Sequence, residues 1–326
     1  MRPKVRVIPG GVQTELEQAV TDYLVAVEAR SRNHRTREFY EFGLERVLLP
    51  FCREQGIDRL AKLDQRAIDR LAADLNSRTK DNGARLAPAT VSTYLRAVRQ
   101  FVKWASKRMP EGVVVPRPKV PRRDLRDQVL SRKEMDDLIE SAPTIRDRAL
   151  LELLCWTGMR LGEALALTVD DLDDRGRNGR FVLIRHSSRG GGAKGDSARE
   201  VPVRPSLYNA LRSLTLHRPN DAYTDRLFIT NRRRPNGEYA PLQKRSAENM
   251  VDVAAERAGI TKRTYPHLLR HSFATDWMRV KNDPVTLQRI LGHSDLSMIA
   301  ETYSHPSATD LYDAMADYHK SPRSSG

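Results

Sequence analysis

At 326 residues, 39% hydrophobic and 30% charged, the chain holds enough material for two packed domains and is not composed like a disordered protein. A formal net charge of +14, with an isoelectric point near 10.0, points to a polyanionic partner, nucleic acid ahead of membrane. No run approaches the roughly 18 apolar residues of a membrane span, the N-terminus lacks an apolar signal core, and Cys52 and Cys155 are too far apart for a ligand-spaced pair. A metal-free protein with reduced thiols, retained in the cytoplasm, is expected.

Residues 1–13 read as a tail. From Thr14 to Met109 apolar residues recur at helical spacing in four stretches: "LEQAVTDYLVAVEA", "REFYEFGLERVLLPFCREQG", "DQRAIDRLAADLNS" and "APATVSTYLRAVRQFVKWASKR". Gly56 is a stop signal, and Pro88 suits a first helical position. A small helical domain is expected over 14–109. Its last helix has a basic side, on which Arg96, Arg99, Lys103 and Lys107 are candidates for DNA contact.

Residues 110–128 carry four prolines among basic residues and little core material, so they read as an extended linker. Arg122 and Arg123 there are further candidates for phosphate contact. Residues 1–128 carry a net +10 and residues 129–326 the remaining +4, which makes the front of the chain the more basic part.

Helical patterning resumes at "LSRKEMDDLIESA", with Ser131 and Glu134 spaced as a capping box, and continues through "RDRALLELLCWTGMRLGEALAL". "RFVLIRH" and "REVPVR" alternate like strands on either side of the Gly-rich turn "SSRGGGAKGDSA". Helices return from Pro205 to "ATDLYDAMADYHK". The second domain is assigned to 129–319, and residues 320–326 to a disordered tail. The fold class is mainly α with a small antiparallel sheet.

Three stretches carry the chemistry. In "TGMRLGEALAL", Arg160 opens an apolar helix and Glu163 lies one turn on, spaced to hold its guanidinium. A snorkelling arginine would look the same locally. In "HLLRHS", His267 shares a helical face with Arg270 and with His271. A zinc site of the H-E-x-x-H kind is disfavoured because Leu268 stands where its glutamate belongs; two arginines suit a phosphate better. In "LGHSDLSMIAETYSHP", His293 follows Gly292, and Tyr303 is either an ordinary core-edge tyrosine or a nucleophile.

Arg160 in "TGMRLGE", Lys194 in the strand-connecting turn, "HLLRH", "LGH" and Tyr303, in this order, resemble the tyrosine site-specific recombinases, the phage integrases and Xer-type proteins. The resemblance covers nearly the whole chain. It implies a core-binding (SAM-like) DNA-binding domain, a linker and an α+β catalytic domain. It implies that Arg160, Lys194, His267, Arg270 and His293 assist Tyr303, the nucleophile, with Glu163 in support. Lys194 lies seven residues before Val201; Arg189 and Arg199 are other basic residues of that region. The step from His293 to Tyr303 is one residue longer than in Xer proteins, a length that integrases also show.

The implied activity is strand cleavage and rejoining through a 3′-phosphotyrosine and a Holliday junction, without metal, ATP or other cofactor. The implied assembly is a homotetramer on double-stranded DNA bearing inverted-repeat core sites, with directionality or accessory proteins as further partners and no membrane. Leu311 and Met315 would dock on a neighbouring protomer, the alternative being packing within their own chain. A prokaryotic, phage or mobile-element protein associated with the nucleoid is implied. The rival readings are a type IB topoisomerase, which needs the same first ester, and a non-catalytic DNA-binding protein.

Overall fold

A computed structural model of the chain describes residues 13–31, 34–120, 128–185, 198–222 and 224–292. It consists of two compact units, residues 1–123 and 124–326.

The described part of the first unit is helical. Helix α1 (Glu15–Arg30) starts at a capping box in which Thr14 and Glu17 satisfy each other's backbone N–H. Leu16, Ala19, Val20, Tyr23, Leu24 and Val27 form its buried stripe. The second helical stretch is not one regular helix: α2 (His34–Gly43) passes through a π-turn at Leu44–Leu48 into α3 (Leu49–Glu54). Pro50 supplies the reason. A proline inside an α-helix removes one backbone hydrogen bond and collides with the preceding turn, and a widened turn accommodates it. Asp64 caps α4 (Gln65–Ser77), and Pro88 is the first residue of α5 (Pro88–Ala105). Tyr23, Phe101 and Trp104 meet in the core, the Tyr23 ring centroid lying 5.6 Å from Phe101 and 5.4 Å from Trp104.

The front of the linker departs from expectation. Val115 is buried in the core of the first unit. Gln65 makes hydrogen bonds with both the N–H and the carbonyl of Val114. Arg99 donates to the carbonyls of Val115 and Pro116 at 3.3 and 2.7 Å. Residues 113–116 therefore pack as part of the first unit.

In the second unit, α6 (Arg132–Glu140) begins at the expected Ser131–Glu134 capping box. Helix α7 (Ile145–Thr157) is buried on nearly all sides and forms the centre of the core. After α8 (Leu161–Ala166) comes a three-stranded antiparallel sheet in the order β1 (Leu172–Asp174), β2 (Arg180–Ile184), β3 (Arg199–Val203). Leu172 pairs with Val182, and Val182 with Val201, which keeps Val182, Ile184 and Val201 on the core face. Helices α9 (Pro205–Leu216), α10 (Lys244–Arg257), α11 (Pro266–Lys281) and α12 (Pro284–Leu291) complete the described part. Strand β1 has no alternating pattern; it exists through its pairing with β2. Among the described residues no helix is long and apolar enough to cross a membrane.

Candidate active site

Arg160 is the N-cap of α8. Its backbone N–H and its guanidinium Nη1 each donate to the Glu163 carboxylate at 2.9 Å. Glu163 is 2% exposed. Burial alone would raise its pKa, but ion pairing with Arg199 and then Arg160 outweighs that and holds it below the ordinary glutamate value. Arg199, the first residue of β3, grips the same carboxylate with Nη1 at 3.2 Å and Nη2 at 2.8 Å.

Helix α11 brings the second set. Pro266 opens it, so His267 and Arg270 lie in its first two turns. Arg270 is buried and donates from Nη1 to the Gly158 carbonyl at 2.6 Å and from Nη2 to the Leu291 carbonyl at 2.9 Å. One guanidinium thus joins the end of α7 to the end of α12. Gly158 takes a left-handed φ of 62° there, and a Cβ on it would stand 2.4 Å from the Phe273 ring. Only glycine turns this corner and leaves room for α11.

His267 is exposed. Even so, the packing around it, followed by the charges of Arg270 and Arg160, holds its pKa below the usual histidine value. The neutral imidazole is therefore favoured. Its ring meets His271 edge to face at 4.5 Å.

Arg160, His267 and Arg270 line one cavity of about 570 Å³; Lys244, Arg245 and Arg263 line it too, so its cations outnumber the carboxylates of Glu248 and Asp252. The positive lining suits a phosphodiester. Snorkelling is set aside for Arg160, whose guanidinium is held at the cavity by Glu163. Among the described residues no group of three or more histidine, cysteine, aspartate or glutamate side chains is placed to hold a metal.

Lys194, His293 and Tyr303, with Arg122, Arg123, Leu311 and Met315, lie outside the described residues. Of the other DNA-contact candidates, Lys103 and Lys107 are exposed, and Arg96 is exposed with its guanidinium over the Phe39 ring. Arg99 instead spends its donors on backbone carbonyls of its own unit. The role of Arg199 is not legible in the sequence, where it is only a basic residue near Lys194. Its partner is 36 residues away, so no local spacing announces the pair.

Residues 128–310 match the sequence profile of the phage integrase family. The chain belongs to that family. This tyrosine recombinase is 33% identical over 306 residues to the tyrosine recombinase XerD of Mycobacterium tuberculosis, covering 88% of the chain and 90% of the relative. It is 29% identical over 253 residues to the tyrosine recombinase XerC of Bacillus subtilis, covering 72% and 76%. Its fold is like that of the XerH site-specific recombinase on palindromic difH (TM-score 0.65, 20% identity, 95% and 91% covered). The Tn1549 transposon integrase with circular intermediate DNA is similar too (0.67, 19%, 94% and 99%). The chain is a site-specific DNA recombinase; the topoisomerase and the non-catalytic binder are not favoured.

Proposed function

We propose that this recombinase cleaves DNA by attack of the Tyr303 hydroxyl oxygen on the scissile phosphorus. A phosphorus–tyrosine bond forms, the bond to the 5′-oxygen breaks, and a 3′-phosphotyrosine results. His267 takes the tyrosine proton, because its depressed pKa keeps the imidazole neutral. Lys194 supplies a proton to the departing 5′-oxygen. Arg160 and Arg270, with His293, stabilise the extra charge on the phosphate oxygens of the transition state. A free 5′-hydroxyl reverses the steps on the same or another strand. The ester conserves the bond energy, so the reaction proceeds without ATP, and the guanidinium groups supply the charge without a metal ion. The observation that carries this reading is the convergence of Arg160, His267 and Arg270 on one cavity.

Residues 14–109 are read as the core-binding domain, 110–128 as a basic linker whose front part packs on that domain, and 129–319 as the catalytic domain. Four protomers on two duplexes, exchanging strands through a Holliday junction at inverted-repeat core sites, form the working assembly. Accessory proteins set direction, and the site of action is the cytoplasmic nucleoid. The DNA complexes of XerH and of the Tn1549 integrase support a duplex partner.

Covalent trapping tests the reading. The chain and its Tyr303→Phe variant are incubated with nicked suicide duplexes in EDTA without ATP, and the captured ends are sequenced. A Tyr303-dependent adduct at one narrow sequence is expected. Adducts scattered over many sequences would instead mark a topoisomerase, and loss of the adduct in EDTA would overturn metal independence.

A further inference from the structure

The geometry points to a further positioning residue: Arg199 holds Glu163 in the orientation that aims Arg160 into the cavity, using the end of α12 as its fixed point. This inference rests on the strand-cleavage reading above.

Three donors of Arg199 have partners. Nε donates to the Ile290 carbonyl at 2.9 Å, and Nη1 and Nη2 to the two oxygens of Glu163. The side chain is 8% exposed. The carboxylate is therefore gripped from both sides, by Arg199 on β3 and by Arg160 at the start of α8. With its planar fork occupied, Glu163 has one orientation, and Arg160 inherits it. A lysine at 199 presents a single ammonium and cannot hold two carboxylate oxygens and a carbonyl in one plane.

The fixed point is well defined. The last four carbonyls of a helix lack partners within it. In α12, those of Gln288 and Arg289 accept from the Gly292 N–H, that of Ile290 from Arg199 and that of Leu291 from Arg270. Two cations at this end also complement the helix dipole. Gly292 has a φ of 64°, and a Cβ there would lie 2.6 Å from the Arg199 guanidinium. The backbone is thus fitted around this side chain.

Stability alone does not account for the arrangement. A buried ion pair gains little over apolar residues of similar volume, because desolvation offsets the attraction. What it supplies is direction, to an arginine whose charge must meet a phosphate.

The test compares single-turnover adduct formation on the suicide duplex captured by the wild-type chain. It uses Arg199→Lys, Glu163→Gln, and the pair Arg199→Met with Glu163→Gln, which removes both buried charges together. A displacement of about 1 Å at a reacting group costs on the order of 100-fold in rate. Arg199→Lys is therefore expected to slow cleavage about 100-fold, with DNA affinity within about threefold and a lower melting temperature that still leaves the chain folded at the assay temperature. Residues acting as one unit are not additive, so the double variant should be no more than about threefold slower than Glu163→Gln. Wild-type cleavage by Arg199→Lys would overturn the inference. So would a further loss of about 100-fold in the double variant. A wild-type chain that forms no adduct sinks the strand-cleavage reading instead. The role of Arg199 is then read from the Arg160 guanidinium signals in 15N NMR spectra: displaced by Arg199→Lys if it positions Arg160, unmoved if it does not.

Discussion

His267 shows how the site sets the chemistry of a single residue. Partial burial of the ring, and then the charges of Arg270 and Arg160, lower its pKa below the ordinary 6.5, although the residue remains exposed. The folded chain binds this proton less readily than the unfolded chain. The histidine thus has no effect on stability well above pH 6.5 and costs stability as the pH falls through that value. For catalysis the consequence is a base that stays neutral and ready into mildly acidic solution. In an NMR titration of the free chain, the His267 ring should show a midpoint below 6.5, and the acid limb of the cleavage rate should follow it. A midpoint at or above the ordinary value would mean that Arg270 and Arg160 do not lower it, and an acid limb that ignores the His267 midpoint would remove His267 as the proton acceptor. The residue pair itself was legible in the sequence, since three-residue spacing puts His267 and Arg270 on one face. The pKa was not, because Arg160 reaches the ring only through the fold.

At the scale of elements, α11 carries that pair and is fastened to the start of the second unit by two contacts of different worth. Ser272 Oγ accepts the Leu130 N–H at 2.9 Å, with both residues buried. One turn on, Arg132 makes a forked ion pair with Asp276, but the Arg132 side chain is 57% exposed. A buried donor left without a partner costs about 1–3 kcal/mol, whereas an exposed ion pair contributes about 0–1 kcal/mol. Ser272→Ala should therefore lower the urea midpoint distinctly with an unchanged slope, and Arg132→Ala should barely move it. The reverse order would show that the surface pair fastens α11. The helices were most legible where an apolar stripe follows a side-chain cap, as at Thr14, Asp64 and Ser131. Three features were not legible. The π-turn before Pro50 is a backbone response that composition does not encode. Strand β1 is defined by pairing with β2. Val115 looks like linker until the first unit's core is there to receive it.

Over the whole molecule, charge is the property that sequence and structure divide differently. The excess of +10 in residues 1–128 counts every basic side chain alike. The structure sorts them by occupation. Lys103 and Lys107 stand exposed on or just past α5, whereas Arg99, one turn before Lys103, is partly buried with its donors on the carbonyls of Val115 and Pro116. Burial lowers the Arg99 pKa, with a smaller push from Arg117. An arginine spent on its own backbone releases no counterion when DNA arrives; an exposed lysine against a phosphate does, and each such contact adds about 0.9 to the slope of log affinity against log salt. Lys103→Ala and Lys107→Ala should each flatten that slope by about one while leaving the melting temperature in place. Arg99→Ala should leave the slope nearly unchanged and lower the melting temperature, because two carbonyls lose their donor and the chain at Val115 loses its clasp. Equal slopes for all three variants would mean that this side of α5 does not meet the duplex. A flattened slope for Arg99→Ala alone would mean that the clasp opens on DNA and that Arg99 changes partners there.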